Sequence, residues 1–393
     1  AAYVVFQILN IGFFILGIVS LQRMTVWGNE RCSLLLWMAC CLPFSFYILF
    51  VYGTMPGFGL SCLAMERLVR YVEEGRGRDF WIGAAAVAAA VILKSNYEIV
   101  LVALFLYLAS SGVFRRKARL LVAAVLLITV YVIGNRGIQT GISSVTGRTV
   151  SDGAPMIAWV QMGLEESKRG PGWYNGYQVK LFQKADGDAD LAAAWAQADL
   201  RKTISDMAEE PAKAADFFVR KIESIWAEPT FQSLWIQEVG NTSWAEESPP
   251  WELFKEEGGL NRLYVFAANL LQTFVYAMAC VWVIAGMSAK GSRSKHVLMK
   301  RTWEKRIEAE KTVKAVKKQG METVWERQER GEPDRWGMLL PGIVFIGGFL
   351  FHLVWEAKGQ YSVVYFMLLL PYAYLGMERV ADVFLDVTGA GKE

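Results

Sequence analysis

Long apolar runs recur along this chain and constrain its fold more than any other feature. A helix needs about 20 apolar residues to cross a bilayer core, because no water is available there to satisfy backbone N–H and C=O groups. Nine runs meet or approach this length: 2–21, 33–51, 57–72, 80–94, 97–113, 119–135, 263–287, 337–355 and 361–378. They predict an all-α polytopic membrane protein with about nine transmembrane helices.

Two of these runs are atypical of membrane helices. The run 57–72 contains Glu66, Arg67 and Arg70, which is also compatible with a helix lying partly at the membrane interface. The run 80–94 is short and rich in alanine. The predicted count of nine depends on both.

Composition agrees with membrane insertion and argues against several function classes. Hydrophobic residues make up 54% of the 393 residues, and the 15 Trp, 15 Tyr and 22 Phe exceed the usual needs of a soluble core. The net charge of +3 gives no reason to expect a nucleic-acid partner. All five cysteines lie within or beside apolar runs, so neither a disulfide framework nor a cysteine-based metal site is predicted.

Lysine and arginine in the short connections predict the orientation, because positive residues are retained in the cytoplasm. If the nine runs alternate, the basic residues near their ends fall on one side. These residues are Arg23, Arg31, Arg67, Arg70, Arg76, Arg78, Arg115, Arg116, Lys117 and Arg119. The opposite connections, 51–55 and 355–360, contain one basic residue, Lys358. We therefore expect a multi-pass protein of the plasma membrane whose arginine-rich side is cytoplasmic.

Two hydrophilic segments are predicted on opposite sides of the membrane. Residues 136–262 contain 13 Lys+Arg and 19 Asp+Glu, a difference of −6, and form a predicted extracytoplasmic domain after about six helices in 1–135. Residues 288–336, after the helix 263–287, contain 14 Lys+Arg and 8 Asp+Glu, a difference of +6. They are predicted to be a basic cytoplasmic helical insertion attracted to anionic lipid. The closing helix pair 337–378 and a cytoplasmic tail, 379–393, complete the predicted organisation.

The extracytoplasmic segment has the pattern of a folded domain. Apolar positions recur at helical spacing over 189–226, and Pro211 follows an acidic pair, as a proline in a first helical turn does. An aromatic, glycine-rich stretch precedes them and includes Trp173, Tyr174 and Asn175. Exposed aromatic turns suit stacking on sugar faces, and they equally suit packing on the membrane surface.

No soluble-enzyme motif is present. The sequence lacks a phosphate-binding glycine loop, an HExxH pair and a nucleophile elbow, and His296 and His352 are its two histidines. No cofactor is predicted, and no motif indicates a divalent metal. What remains are polar residues at the predicted outer ends of membrane helices, where an ionisable group costs free energy unless it is used.

Two such polar clusters stand out. In the first, Lys94 can neutralise a phosphate at headgroup level while Asn96 and Tyr97 donate hydrogen bonds. A lysine reaching the membrane surface beside an interfacial tyrosine explains the same residues without a ligand. The second cluster occupies the tight turn between the last two runs and comprises His352, Trp355, Glu356, Lys358, Gln360 and Tyr361. An acid, a base and an amide in so short a turn are harder to explain as membrane anchors.

This pattern resembles the GT-C glycosyltransferases, and within them the protein O-mannosyltransferase and aminoarabinose-transferase branch. The similarity lies in the turn Glu356-x-Lys358-x-x-Tyr361, the lysine-containing helix end 91–97, and a hydrophilic domain inserted before the last helices. The resemblance implies a multi-pass enzyme that moves a sugar from a polyprenyl-phosphate carrier to a glycan, lipid or protein acceptor on the outer face.

The resemblance also implies roles for individual residues. In an inverting displacement of this kind, Lys94 and Lys358 would stabilise the departing lipid phosphate. Asn96, Tyr97 and Tyr361 would position the donor, and Glu356 would bind sugar hydroxyls. The residues expected on the acceptor side are Trp173, Tyr174 and Asn175.

Two departures from the family limit the resemblance. Gln360 stands where bacterial relatives commonly have an arginine, so the phosphate contact is expected to fall to Lys358. The family carries its catalytic Asp on the first outer loop, whereas the loop 51–55 has no acid. The base is therefore expected upstream of Ala1 in a longer protein, in which case the chain alone is inactive, or the chain is an inactive relative. The alternatives are a transporter or flippase of lipid-linked saccharides and a noncatalytic membrane scaffold.

Overall fold

The computed structural model of the chain describes residues 2–25, 41–148, 153–234, 253, 258–288 and 335–388. About 83% of these residues lie in helices, as an all-α fold predicts. Five described helices are long and apolar enough to cross a membrane, and the last helix pair adds a sixth if its bent halves form one span. The chain is thus an all-α polytopic membrane protein, and the predicted count of nine is not confirmed within the described part.

The amino-terminal part consists of helices in close succession. They are α1 (Ala2–Thr25), α2 (Leu42–Phe46), α3 (Thr54–Glu74), α4 (Gly77–Leu93), α5 (Glu98–Phe114) and α6 (Ala118–Thr146). Of these, α1, α5 and α6 are candidate membrane spans, whereas α3 and α4, the two atypical runs, are not. Gly75 ends α3 in the left-handed conformation at φ 77°, and α4 begins two residues later. Because Lys94, just past α4, donates a hydrogen bond to Thr54, α3 and α4 form an antiparallel hairpin.

Arginines and carboxylates form an ion-pair network at the Gly75 end of this hairpin. Arg70 lies 2.8 Å from Glu66, and Arg67 lies 3.0 Å from Asp79. Arg23, in the last turn of α1, approaches Glu66 to 3.8 Å. Residues that the sequence predicted on a common side therefore lie together, and we call this end of the bundle the arginine end.

The hydrophilic domain, defined here as residues 156–226, is mainly helical. Its elements are α7 (Met156–Gly163), the two-stranded antiparallel hairpin β1 (Glu166–Ser167) and β2 (Gly170–Pro171), α8 (Tyr177–Lys184), α9 (Ala189–Glu209) and α10 (Pro211–Trp226). Small residues allow α7, α8 and α9 to pack closely around Leu181. The Asp188 side chain accepts hydrogen bonds from two backbone N–H groups at the start of α9. The helix predicted to start at Pro211 is confirmed.

The remaining helices differ in detail from the predicted runs. They are α11 (Gly259–Ser288), α12 (Arg335–Val354), α13 (Gly359–Met367) and α14 (Leu370–Thr388). The last predicted run, 361–378, is broken between α13 and α14, and α6 continues beyond the predicted boundary at 135. Apart from residues at its two ends, the predicted basic insertion 288–336 lies outside the described part of the chain.

The chain divides into two compact units. The first contains 1–275 and 336–371, and the second contains 276–335 and 372–393. Within the second, the Trp282 and Tyr372 rings pack with centroids 4.7 Å apart. All the site residues predicted from the sequence belong to the first unit.

Candidate functional site

Lys94 is held in a buried position at the end of α4. Its extended backbone, with φ −158° and ψ 115°, ends the helix, and the residue is only 9% exposed. The ammonium donates a 3.1 Å hydrogen bond to the Thr54 hydroxyl. It also lies 4.8 Å from the Tyr52 ring centroid and 5.1 Å from that of Tyr361. Neutral groups, namely a hydroxyl and two ring faces, thus surround this cation most closely.

The 3₁₀ turn Ser95–Tyr97 fixes the other two residues of the first cluster. The Tyr97 hydroxyl donates a 2.6 Å hydrogen bond to the Thr54 carbonyl. The Tyr97 ring packs so closely against Gly57 that a Cβ atom at that position would collide with it. The Asn96 carbonyl accepts a 3.4 Å hydrogen bond from Tyr365. Tyr97 is therefore held by the start of α3, and Asn96 is linked to α13.

The closing turn, defined here as Trp355–Lys358, carries the acid and the base of the second cluster, Glu356 and Lys358. The Tyr361 hydroxyl donates to a Glu356 carboxylate oxygen at 3.3 Å, and Lys358 lies 5.7 Å from the Tyr361 ring centroid. Burial raises the pKa of Glu356, although Lys358 opposes this change. Burial likewise lowers the pKa of Lys358, and Glu356 opposes it. Each group thus favours its neutral form more than it would in water.

The structure brings the two predicted clusters together. A small cleft is lined by Lys94, Asn96, Tyr97, Tyr361, Val364 and Tyr365. Tyr361, which lines the cleft, contacts Lys94, Lys358 and Glu356, and this places the closing turn beside the cleft. Lys94 therefore lines this small space, and Lys358 and Glu356 lie beside it through their contacts with Tyr361, an arrangement suited to an anion.

The hydrophilic domain contacts the closing turn directly. The Ala357 N–H donates a 2.8 Å hydrogen bond to the Gly172 carbonyl, and Trp173 pairs with Ala357 in a parallel bridge. The Trp173 indole N–H donates to Ser224 on α10 at 3.2 Å. These direct contacts hold the hydrophilic domain against the closing turn.

The three residues predicted on the acceptor side occupy different environments. Trp173 is half-buried against the closing turn. Asn175 donates to Glu165 at 2.7 Å and accepts from the Tyr177 N–H at 2.8 Å, so it stabilises the start of α8. Tyr174 is 50% exposed. Of the three, Tyr174 presents the most surface to an acceptor.

Sequence reasoning did not assign a role to Lys221. The residue is completely buried on α10, and its ammonium donates hydrogen bonds to the carbonyls of Gly163 and, at 2.8 Å, Trp355. Burial lowers the pKa of Lys221 to about 7. Its spacing of four residues from both Phe217 and Ile225 places it on the buried face of α10, a signal that was available in the sequence.

No metal centre accompanies this site: the described residues contain no group of three or more His, Cys, Asp or Glu side chains arranged to hold a metal ion. The geometry of the site and the composition of its helices are therefore the basis for assigning a function. No protein-family model matches the chain, and neither does any curated protein or solved structure.

Proposed function

We propose that the protein is an integral membrane glycosyltransferase, or the membrane-embedded part of one, that moves a sugar from a polyprenyl-phosphate carrier to an extracytoplasmic acceptor. The observation that carries the proposal is the position of Lys94. It is buried at the end of a membrane-type helix bundle, and its ring contact Tyr361 also contacts Glu356 and Lys358. The hydrophilic domain contacts the same turn.

The chemistry of the cleft matches a lipid-linked phosphate. A polyprenyl chain is soluble in the bilayer, and its phosphate lies at the headgroup level, where the apolar helices end. Lys94 and Lys358 supply positive charge there, and Glu356 offsets part of it. Tyrosine rings and a hydroxyl surround Lys94, and burial lowers its pKa to about 7, so an incoming phosphate anion would favour its charged form.

The proposed reaction is a single inverting displacement. The acceptor hydroxyl oxygen attacks the anomeric carbon, the bond from that carbon to the phosphate oxygen breaks, and a carboxylate takes the hydroxyl proton. Lys94 and Lys358 stabilise the departing phosphate, Asn96, Tyr97 and Tyr361 position the donor, and Glu356 binds sugar hydroxyls. No described carboxylate is assigned as this base.

The proposal also includes a topology. The chain crosses the membrane nine times, with the cleft and the hydrophilic domain outside and the arginine end in the cytoplasm of the plasma membrane. Support comes from the α3–α4 hairpin, which extends from Thr54, beside the cleft, to the arginine end. At about 1.5 Å per residue, the 21 residues of α3 approach the thickness of a bilayer core.

Substitution of the two lysines tests the proposal. In the full-length protein, Lys94→Ala and Lys358→Ala are each expected to abolish transfer from a polyprenyl-phosphate sugar while membrane insertion is retained. Radiolabelled sugar transferred to acceptor measures the activity, and Lys213→Ala, an exposed change on α10, is the control. Unchanged turnover in both cleft variants would remove the site assignment.

Two other outcomes favour the alternative functions. Movement of an intact lipid-linked saccharide across reconstituted vesicles, without transfer, indicates a transporter or flippase. Neither transfer nor movement, combined with normal folding, indicates a noncatalytic scaffold. Labelling that places Trp173 and Lys358 on the cytosolic side would overturn the proposed topology.

A further inference from the structure

The Lys221 ammonium lies within the contact between the hydrophilic domain and the closing turn. Its side chain is fully buried, and it donates hydrogen bonds to the carbonyl of Gly163, at the end of α7, and to that of Trp355. A buried ammonium is costly unless its N–H groups are satisfied. The two carbonyls belong to segments far apart in the sequence, so one side chain joins the domain to the turn.

Two glycines, Gly163 and Gly172, allow the backbone to approach the Lys221 ammonium closely. Gly172 adopts φ +73°, and a Cβ atom there would lie 2.6 Å from the Lys221 ammonium nitrogen. A Cβ atom at Gly163 would lie 2.7 Å from the Trp355 carbonyl carbon. Both distances are far shorter than normal contacts. The two glycines therefore allow three backbone segments to converge on the ammonium.

The contact fixes successive backbone groups of the closing turn. Lys221 holds the Trp355 carbonyl, and the Ala357 N–H donates to Gly172 at 2.8 Å. Between them, the Glu356 carbonyl lies 3.3 Å from the His352 ring nitrogen Nδ1. The side chains of Glu356 and Lys358 extend from this fixed backbone, so their positions beside the cleft depend on it.

We propose that Lys221 is a positioning residue for sugar transfer. By holding the closing turn against the hydrophilic domain, it fixes Glu356 and Lys358 relative to Lys94. The inference rests on the proposed glycosyltransferase function for its kinetic consequence. It does not make Lys221 a catalytic residue, because its ammonium bonds the backbone of the turn and does not line the cleft.

Backbone amide exchange tests the structural half of the proposal. The full-length protein in lipid nanodiscs is compared with Lys221→Met, which removes the N–H donors but keeps the length of the side chain. We expect the Ala357 amide to exchange about tenfold faster or more in the variant, with α9 unchanged. Lys213→Met, at an exposed position on the same helix, should change the exchange of neither the Ala357 amide nor α9. Unchanged exchange in the closing turn overturns the proposal.

A folding defect is recognised by loss of protection in α9. In that case Lys221→Gln, which is polar but too short to reach both carbonyls, replaces the methionine variant. Faster exchange in the closing turn with α9 protected supports the proposal for this variant, and unchanged turn exchange overturns it.

Steady-state kinetics test the functional half. We expect Lys221→Met to raise the donor KM and lower kcat, each by about tenfold, while the acceptor KM stays the same. A smaller fraction of folded enzyme would lower kcat alone, so a fall in kcat with both KM values unchanged overturns the positioning role. If the wild-type protein transfers no sugar, the proposed function fails, and amide exchange still decides whether Lys221 holds the turn.

Discussion

Charged side chains occupy both ends of the α3–α4 hairpin, and their partners differ between the two ends. At the arginine end, Arg70 and Arg67 lie 2.8 and 3.0 Å from the carboxylates of Glu66 and Asp79. At the cleft, Lys94 donates to a neutral hydroxyl and faces two aromatic rings. Ion pairs neutralise their members, whereas burial among neutral groups lowers the pKa of Lys94 to about 7, so that an incoming anion would favour its charged form. The comparison suggests that the arginine end serves stability and the cleft serves binding.

The largest effect on stability is expected at Asp79. This buried carboxylate accepts hydrogen bonds from Arg67 and Arg76. Asp79→Ala therefore leaves both guanidinium groups without their carboxylate partner. We expect a loss of about 2–4 kcal/mol in the free energy of unfolding, measured by thermal unfolding in detergent. Glu74→Ala is the matched control, because that carboxylate is half-exposed and pairs with Arg76, and it should cost less than about 1 kcal/mol. Equal losses from the two substitutions would contradict the larger contribution of Asp79 to stability.

A smaller effect on stability is expected from Glu356, and it depends on pH. Its raised pKa means that the folded chain holds the proton more tightly than the unfolded chain does. This contribution to stability is present below the ordinary carboxyl pKa of 4.5 and is lost as pH rises to the higher folded value. Melting temperatures across this window should show the fall in wild type and a shallower curve in Glu356→Gln. Parallel curves would show that Glu356 is solvated like a surface carboxylate.

Lys94→Met should separate stability from activity most clearly. Among the described residues, no carboxylate forms an ion pair with Lys94. Removing this buried ammonium should therefore leave the free energy of unfolding unchanged or raise it by about 1 kcal/mol. Transfer should nevertheless fall about 100-fold or more, because phosphate stabilisation is lost. Melting temperature and turnover measured on one preparation test both statements. A large loss of stability would show that Lys94 stabilises the fold, as the charged residues of the arginine end do.

The smallest effect is expected at Tyr174. Since its side chain is half-exposed, Tyr174→Ala should change the free energy of unfolding by no more than about 0.5 kcal/mol. If Tyr174 contacts the acceptor, the acceptor KM should rise a few-fold while the donor KM stays constant. Acceptor titrations at saturating donor measure this difference, and an unchanged acceptor KM would remove Tyr174 from the acceptor side.

The sequence identified residues of the cleft because charges are conspicuous among apolar runs. Lys94, Glu356 and Lys358 follow or separate long hydrophobic segments, and membrane energetics single out such groups. Lys221 was harder to find, since a lysine within an amphipathic helix is ordinarily placed on its solvent face. Its burial depends on two carbonyls supplied by other segments.

The sequence pattern also did not predict which contacts the aromatic stretch makes. Trp173 and Asn175 fit a sugar-binding turn by composition, yet one pairs with Ala357 and the other stabilises the start of α8. The pairing with Ala357 joins distant parts of the chain and leaves no periodic signal. The helices after the hydrophilic domain were predictable in type, but the break between α13 and α14 lies inside a continuous apolar run.

The contact between Lys221 and Trp355 has a consequence for biogenesis. The two residues are 134 positions apart, so Lys221 is synthesised well before its carbonyl partner exists. At ordinary translation rates the delay is on the order of 10 s. During that interval the ammonium has to stay hydrated, and this face of α10 stays open. The hydrophilic domain of a nascent chain can therefore complete this contact only after the segment that contains Trp355 has left the ribosome.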